Sequence, residues 1–185
     1  MWLVPLVGEY DMEREGEFEF DFSESRKVEK LDDKNKQLPQ GMQLVDFVVD
    51  HGRKFLLIEV KDPSCCPKGG VSAQKAIEKQ RIEFVAKMQN DDLIANELTP
   101  KARDSYCMLH LMHRDTKPML FVFFLGAKEL QLDPALILNF QERLRNRLHQ
   151  ETDVPWARKY VEDCVVVTET TWADVLPEYP MSRVP

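Results

Sequence analysis

The chain has 185 residues, of which 43% are hydrophobic and 31% are charged, and its formal net charge is −7. This length favours one domain, residues 1–185, with a sizeable core, and the composition is typical of a soluble globular protein. No apolar run reaches the roughly 20 residues that span a bilayer, and the N-terminal sequence MWLVPLVGEYDMEREGE lacks the positive region of a secretory signal. The four cysteines form no CxxC pair, which predicts reduced thiols and a cytoplasmic protein.

The acidic residues are concentrated at the N-terminus. Residues 1–24 contain eight acidic residues and one basic residue, so this acidic N-terminal segment accounts for the whole net charge, and the remainder of the chain is neutral. Domains that bind DNA usually carry a basic excess. Binding to nucleic acid would therefore need a locally basic surface.

The first half of the chain predicts strands. In EFEFDF, residues 17–22, three phenylalanines alternate with acidic residues, which predicts a half-buried strand. The charged stretch 23–41 predicts a short helix or a loop. A β-hairpin follows, with strands at 42–50 and 54–62, and PSCCPKGG at 63–70 breaks the chain with two prolines and two glycines.

The middle of the chain predicts two helices. Apolar residues recur at helical spacing from Ser72 to about Asn96. Thr99 and Pro100 then predict the cap and first residue of a second helix that runs to about His113.

The last part of the chain alternates strand and helix. The nearly continuous apolar run at 117–126 predicts a strand covered on both faces. A further helix is expected to begin at Asp133 and Pro134, a late strand at 163–172, and a loose tail at 177–185. Together the elements predict an α/β layered domain with a mixed sheet.

The hairpin carries charged residues where aliphatic ones would pack without electrostatic cost. Asp46, Glu59 and Lys61 interrupt two apolar strands, although a buried charge is expensive unless it is paired or holds a metal. Strand alternation puts Glu59 and Lys61 on one face. A two-residue loop at His51-Gly52 places Asp46 on the same face, diagonal to Glu59, with Cβ atoms roughly 7 Å apart. A three-residue loop would move Asp46 to the other face.

These residue types support metal-dependent chemistry on phosphate. Mg²⁺ prefers carboxylate and water oxygens and usually takes only one or two protein carboxylates. Lys61 is placed to orient a water molecule or to stabilise charge in the transition state. The competing interpretation is a Glu59–Lys61 salt bridge on a solvated face, which the apolar neighbours of Glu59 disfavour.

The hairpin resembles the PD-(D/E)xK, or restriction endonuclease-like, nuclease superfamily, in the pattern Asp46 followed by IEVKD with Glu59 and Lys61. The resemblance implies an αβββαβ core with a central mixed β-sheet flanked by helices, here with an extra C-terminal helix and strand. It also implies that Asp46 and Glu59 bind Mg²⁺ or Mn²⁺, that the carbonyl of Val60 adds a ligand, and that Lys61 assists the water. Val45 stands where the family name has proline.

The resemblance leaves the remaining contacts open. Many members of the superfamily add an acidic residue from an N-terminal helix, for which Glu24 and Glu29 are the candidates. The sequence decides neither between them nor whether either completes the site. The helix after the motif is expected to contact substrate or metal through Gln74 or Lys75. The clustered lysines Lys68, Lys75 and Lys79 are the candidates for phosphate-backbone contacts, and a solvated helix face explains them equally well.

The expected function is a metal-dependent nuclease that hydrolyses phosphodiester bonds of nucleic acid, with DNA as the expected substrate. The alternative is a catalytically silent scaffold or binding subunit that keeps the nuclease fold and acts through protein partners. The expected partners are nucleic acid and either a second copy of the chain or another subunit, with no membrane contact.

Overall fold

The computed structural model describes residues 11–33, 38–66 and 69–184. Within these ranges the chain is a mixed α/β protein with two sheets. The strands are β1 (Met12–Glu15), β2 (Phe18–Asp21), β3 (Lys27–Lys30), β4 (Phe47–His51), β5 (Lys54–Lys61), β6 (Met119–Leu125), β7 (Asp163–Thr168) and β8 (Met181–Arg183). The helices are α1 (Val71–Gln89), α2 (Thr99–Leu111), α3 (Pro134–His149) and α4 (Trp172–Val175).

The central sheet has five strands in the order β3-β4-β5-β6-β7. The first three are antiparallel neighbours, whereas β5, β6 and β7 run parallel, so the predicted mixed sheet is confirmed. Strand β6 is almost wholly buried, as its apolar run predicted. Strand β7 is also confirmed, but it ends at Thr168 and helix α4 begins at Trp172.

The stretch 23–41, expected to be a short helix or a loop, contains strand β3 instead. Lys27–Lys30 pairs antiparallel with β4, and Val28 packs on the phenylalanine-rich core below the sheet. Pairing with a neighbouring strand therefore outweighs the charged composition that suggested a helix. Among the described residues, the β1–β2 hairpin precedes β3, where the expected αβββαβ order has a helix.

The five-stranded sheet is the middle of three layers. Helices α1, α2 and α3 lie on one face, and the three-stranded sheet β1-β2-β8 lies with α4 on the other. The strand predicted at 17–22 is confirmed at Phe18–Asp21. Phe18, Phe20 and Phe22 are fully buried, and Phe20 contacts Trp172 with ring centroids 5.1 Å apart.

The β4–β5 hairpin turns one residue later than predicted. His51 pairs with Lys54, so the two-residue loop is Gly52-Arg53 and not His51-Gly52. Gly52, the first residue of the observed loop, has a φ of +70°, a left-handed conformation that glycine adopts at little cost. In the predicted loop, His51 would stand at this position and would be strained. The register shifts by two residues, and an even shift leaves every side chain on its predicted face.

The helix boundaries differ from the predictions at one place. Helix α1 ends at Gln89 and not near Asn96. A π-helical turn at Ile94–Leu98 runs directly into α2. Thr99 is therefore not a cap, since the backbone of Leu98 before it is already helical.

Helix α3 begins as predicted. Asp133 caps it by accepting a hydrogen bond from the Ala135 amide, with Pro134 as the first helical residue. Phe140, Leu144 and Leu148 on its inner face are fully buried.

The predicted loose tail is wrong. Residues Met181–Arg183 form β8, which pairs antiparallel with β2, and Tyr179 just before it is buried. The Arg183 guanidinium holds this strand through ion pairs to Glu17, Asp62 and Glu169 at 2.7–2.9 Å. Among the described residues, no helix is long and apolar enough to cross a membrane.

Candidate active site

Asp46 and Glu59 meet on the helix-covered face of the central sheet. Asp46 lies one residue before β4, and the register of the hairpin, continued by one pair, places it opposite Glu59 on β5. The Asp46 Oδ2 atom accepts a hydrogen bond of 2.6 Å from the Val60 amide. Asp46 is 4% exposed and Glu59 is fully buried. Two carboxylates thus lie side by side in the protein interior.

Lys61 lies on the same face, nearer to solvent. Its Nζ is 3.4 Å from Glu59 Oε1 and 3.1 Å from Glu97 Oε2. Glu97 belongs to the π-helical turn and also binds Lys87, at 3.1 Å. The Lys61 ammonium is therefore held between one carboxylate from the sheet and one from the helical layer.

A second lysine lies closer to Glu59 than Lys61 does. Lys101, in the first turn of α2, donates a hydrogen bond of 2.9 Å to Glu59 Oε2. Its Nζ is also 2.8 Å from Oε1, but the angles there do not suit a hydrogen bond, and the buried Oε1 accepts none from any described residue. Asp32 lies 3.8 Å from the same ammonium.

Burial dominates the electrostatics of the two carboxylates. It raises the pKa of Asp46 to about 7, and the charge of Glu59 raises it further, while Lys101 opposes the shift. Burial also raises the pKa of Glu59 against the pull of Lys101 and Lys61. Burial therefore disfavours the charged forms of both carboxyl groups, and a nearby positive charge favours them.

The pKa of the Lys61 ammonium is raised, which favours its charged form. Burial works against its charged form, but Glu59 and Glu97 outweigh burial and raise the pKa of the ammonium. At neutral pH Lys61 is protonated, so it can stabilise negative charge or orient a water molecule but cannot take up a proton.

The two N-terminal acids considered from the sequence have other partners. Glu29, on β3, binds Arg114 at 2.7 Å. Glu24 is exposed in the turn before β3, where its charge acts on Tyr179. The N-terminal acid that raises the pKa of Asp46 is instead Glu15, on β1.

The residues expected to contact nucleic acid lie on helix α1. Gln74, Lys75 and Lys79 are all exposed, and Lys79 has a 3.6 Å ion pair with Glu83 on the same helix. Lys68 lies outside the described residues.

The residues present fit a single small divalent cation. Across the described ranges, no three His, Cys, Asp or Glu side chains come together as a metal-ligand group. However, Mg²⁺ commonly takes only two protein carboxylates and completes its shell with water. Asp46 and Glu59 supply such a pair, and the buried Glu59 Oε1 accepts no hydrogen bond there. The carbonyl of Val60 was expected to be a third ligand, and the amide N–H of the same residue donates a hydrogen bond to Asp46.

Sequence reasoning missed Glu97 and Lys101. Together with Glu59 and Lys61 they form a network in which each strand residue pairs with an opposite charge from the helical layer. Both lie more than 30 residues beyond the hairpin. One signal was present: a buried Glu requires a cation, and Lys101 stands four residues after Glu97, so the two share a helix face.

A mostly apolar groove of about 910 Å³ lies between α3, β7 and α4, and none of the residues of the carboxylate pair or its lysines lines it. The candidate active site is therefore identified by the buried Asp46–Glu59 pair and its lysines and not by the size of this groove.

No family model, curated protein or solved structure matches this chain. The case for a function therefore depends on the geometry and electrostatics described above.

Proposed function

We propose that the protein is a metal-dependent nuclease that hydrolyses phosphodiester bonds in nucleic acid, with DNA as the substrate. The observation that carries this proposal is the buried Asp46–Glu59 pair on adjacent strands, with the Lys61 ammonium 3.4 Å from Glu59. The succession of three antiparallel strands, helices, a parallel strand, a helix and a parallel strand supports a restriction endonuclease-like fold, in which the described residues before β3 form a hairpin in place of the leading helix.

Each residue has a defined part in this reaction. Asp46 and Glu59 would hold Mg²⁺ or Mn²⁺, with Val60 contributing its carbonyl. The ion would supply Lewis acidity that activates water and neutralises charge on the phosphate. Lys61, protonated at neutral pH, orients the water and stabilises the negative charge that develops on the phosphate oxygens.

The test is cleavage of single- and double-stranded DNA and RNA with Mg²⁺ or Mn²⁺, and with EDTA as the metal-free control. We expect Glu59→Gln and Lys61→Ala each to lower the rate by about 100-fold or more, as for the loss of one electrostatic contact to a transition state. Lys54→Ala, at the opposite end of β5, is the matched control and should retain activity. Equal cleavage by the wild type and both site variants would disprove the catalytic assignment.

A second function is favoured by one observation. Lys101 already neutralises Glu59 without a metal, as expected for a nuclease fold that serves as a silent scaffold or binding subunit. Folded protein that neither binds a divalent metal nor cleaves any of the four substrates would support this scaffold.

A further inference from the structure

Glu59 has a positive partner where a metal ion would bind. The Lys101 ammonium lies 2.8 and 2.9 Å from the two oxygens of Glu59, and its side chain is only 15% exposed. A Mg²⁺ ion needs carboxylate oxygens at about 2.0–2.1 Å. Two cations bound to the same carboxylate at these distances would repel each other strongly in a buried environment.

The helix that carries Lys101 is anchored to the site. The Ser105 hydroxyl accepts a hydrogen bond of 2.9 Å from the Val45 amide, and Asp104 accepts one of 3.0 Å from the Gln43 amide. Both contacts fix α2 against the segment that leads into Asp46. A cation that enters the site must therefore displace the flexible Lys101 side chain, because the helix itself is held.

A second carboxylate is within reach of the displaced ammonium. Asp32 Oδ2 lies 3.8 Å from Lys101 Nζ, and the Asp32 side chain is half exposed, so it stands on the solvent side of Glu59. Lys101 can thus leave the buried carboxylate without losing all of its electrostatic compensation.

We propose that Lys101 is a built-in counter-ion of Glu59 that a divalent cation displaces toward Asp32 when it binds, so that Lys101 sets the affinity of the site for metal. The inference rests on the divalent-cation site proposed above and adds a residue that regulates it. In the metal-free protein Lys101 keeps a buried carboxylate paired, and in the metal-bound protein its charge lies at the rim of the site.

The first test is a calorimetric titration of the folded protein with Mn²⁺ and Mg²⁺, without nucleic acid, at mildly alkaline pH, where carboxylates are ionised. We expect Lys101→Met to bind either metal about tenfold more tightly than the wild type, a factor at the low end of the coupling between close buried charges. Lys101→Arg, which keeps the charge, should bind metal like the wild type. Lys87→Met removes a lysine that contacts Glu97 and should also bind like the wild type.

The second test follows the Lys101 ammonium in the unaltered sequence and does not depend on how well Lys101→Met folds. Its side-chain nitrogen resonance, assigned by its absence from Lys101→Arg, should shift when Mg²⁺ saturates the site. Metal affinity unchanged or weaker in Lys101→Met, or a Lys101 resonance that Mg²⁺ does not move, would overturn the inference. Neither measurement uses cleavage, so a metal response without nuclease activity would reject the proposed function and leave the counter-ion role intact.

Discussion

Asp46 links the stability of the metal-free protein to pH. Burial and the neighbouring Glu59 raise its pKa from 3.8 to about 7 in the folded state, so the folded protein holds a proton that the unfolded chain has released. The free energy of unfolding should therefore fall as pH rises from about 4 to about 7 and level off above that range. A carboxyl with a lowered pKa would give the opposite slope.

Replacing Asp46 with Asn should remove this contribution. Asn keeps an oxygen that can accept the Val60 amide and carries no charge at any pH. In EDTA, ionisation of Asp46 should lower the free energy of unfolding of the wild type by up to about 1.4 kcal/mol per pH unit between about pH 4 and about pH 7. This contribution should be missing from Asp46→Asn. Urea unfolding at several pH values measures the difference. Parallel profiles for the two proteins would show that Asp46 ionises as an ordinary carboxyl.

At the scale of the secondary-structure elements, strand β8 is held by the contacts of one residue, Arg183. The Arg183 guanidinium contacts three carboxylates, from Glu17, Asp62 and Glu169, and lies 4.2 Å from the centre of the Phe18 ring. Each carboxylate comes from a different part of the chain. Arg183 therefore joins β8 to the central sheet and to the loop after β7.

Loss of Arg183 should destabilise the protein well beyond the loss of one surface ion pair. Arg183→Ala removes the guanidinium that contacts three partly buried carboxylates, and breaking a buried ion pair typically costs about 3–5 kcal/mol. The side chain is 20% exposed, so solvent screens part of the interaction, and we expect a loss of about 2–3 kcal/mol, at or below the lower limit of that range, from denaturant unfolding. Arg158→Ala is the control, since Arg158 is 66% exposed with a 3.9 Å pair and should change stability by less than about 0.5 kcal/mol. Similar losses for both variants would contradict the role of Arg183.

The elements that the sequence predicted correctly are those with a strong local pattern. Strand β6 is a continuous apolar run, and α3 has both a cap and an apolar face. Strand β3 was missed because three of its four residues are charged, and such a segment becomes a strand only through its pairing with β4. Strand β8 was missed because its stabilising contacts come from residues far away in the chain.

The same distinction applies to the site. Asp46, Glu59 and Lys61 could be placed on one face from the hairpin alone, because side chains alternate between the two faces along each strand. The partners Glu97 and Lys101 depend on how the helical layer packs against the sheet, which no local pattern encodes. The hairpin could not decide between Glu24 and Glu29 for the same reason, since the contact of Glu29 with Arg114 depends on how β3 pairs and how the helical layer packs.

At the scale of the whole molecule, the described part of the acidic N-terminal segment, residues 11–24, contributes to the folded core. Its phenylalanines at 18, 20 and 22 are fully buried under the central sheet, while acidic residues of β1 and β2 alternate with them. The negative charge is thus fixed on the β1-β2-β8 side of the molecule. A nucleic acid is therefore expected to approach from the helical side, where α1 carries exposed lysines.

Helix α1 is expected to supply the phosphate contacts of the proposed nuclease. Lys75 and Lys79 lie four residues apart on one exposed face. The 3.6 Å ion pair of Lys79 with Glu83 is exposed and therefore weak, so a phosphate can compete for the Lys79 ammonium. Replacing both lysines with Glu should weaken DNA binding at low salt by at least about tenfold. If each lysine neutralises one phosphate, the slope of log affinity against log salt should also become smaller by about 1.8.

The measurement is a DNA titration at several salt concentrations, with Ca²⁺ replacing Mg²⁺ so that the carboxylate pair can be neutralised without cleavage. The double variant Lys54→Glu, Lys159→Glu is the matched control, because it makes the same change in net charge at another place. Lys54 begins β5, and Lys159 lies near the start of β6, whereas Glu59 and Lys61 lie at the end of β5. If the protein binds through α1, the control should retain most of its affinity and its full salt slope. Equal weakening in both double variants would mean that net charge alone governs binding, and α1 would then not be the interface. Binding that is equally tight with and without Ca²⁺ would mean instead that repulsion by Asp46 and Glu59 does not limit the approach of the phosphate.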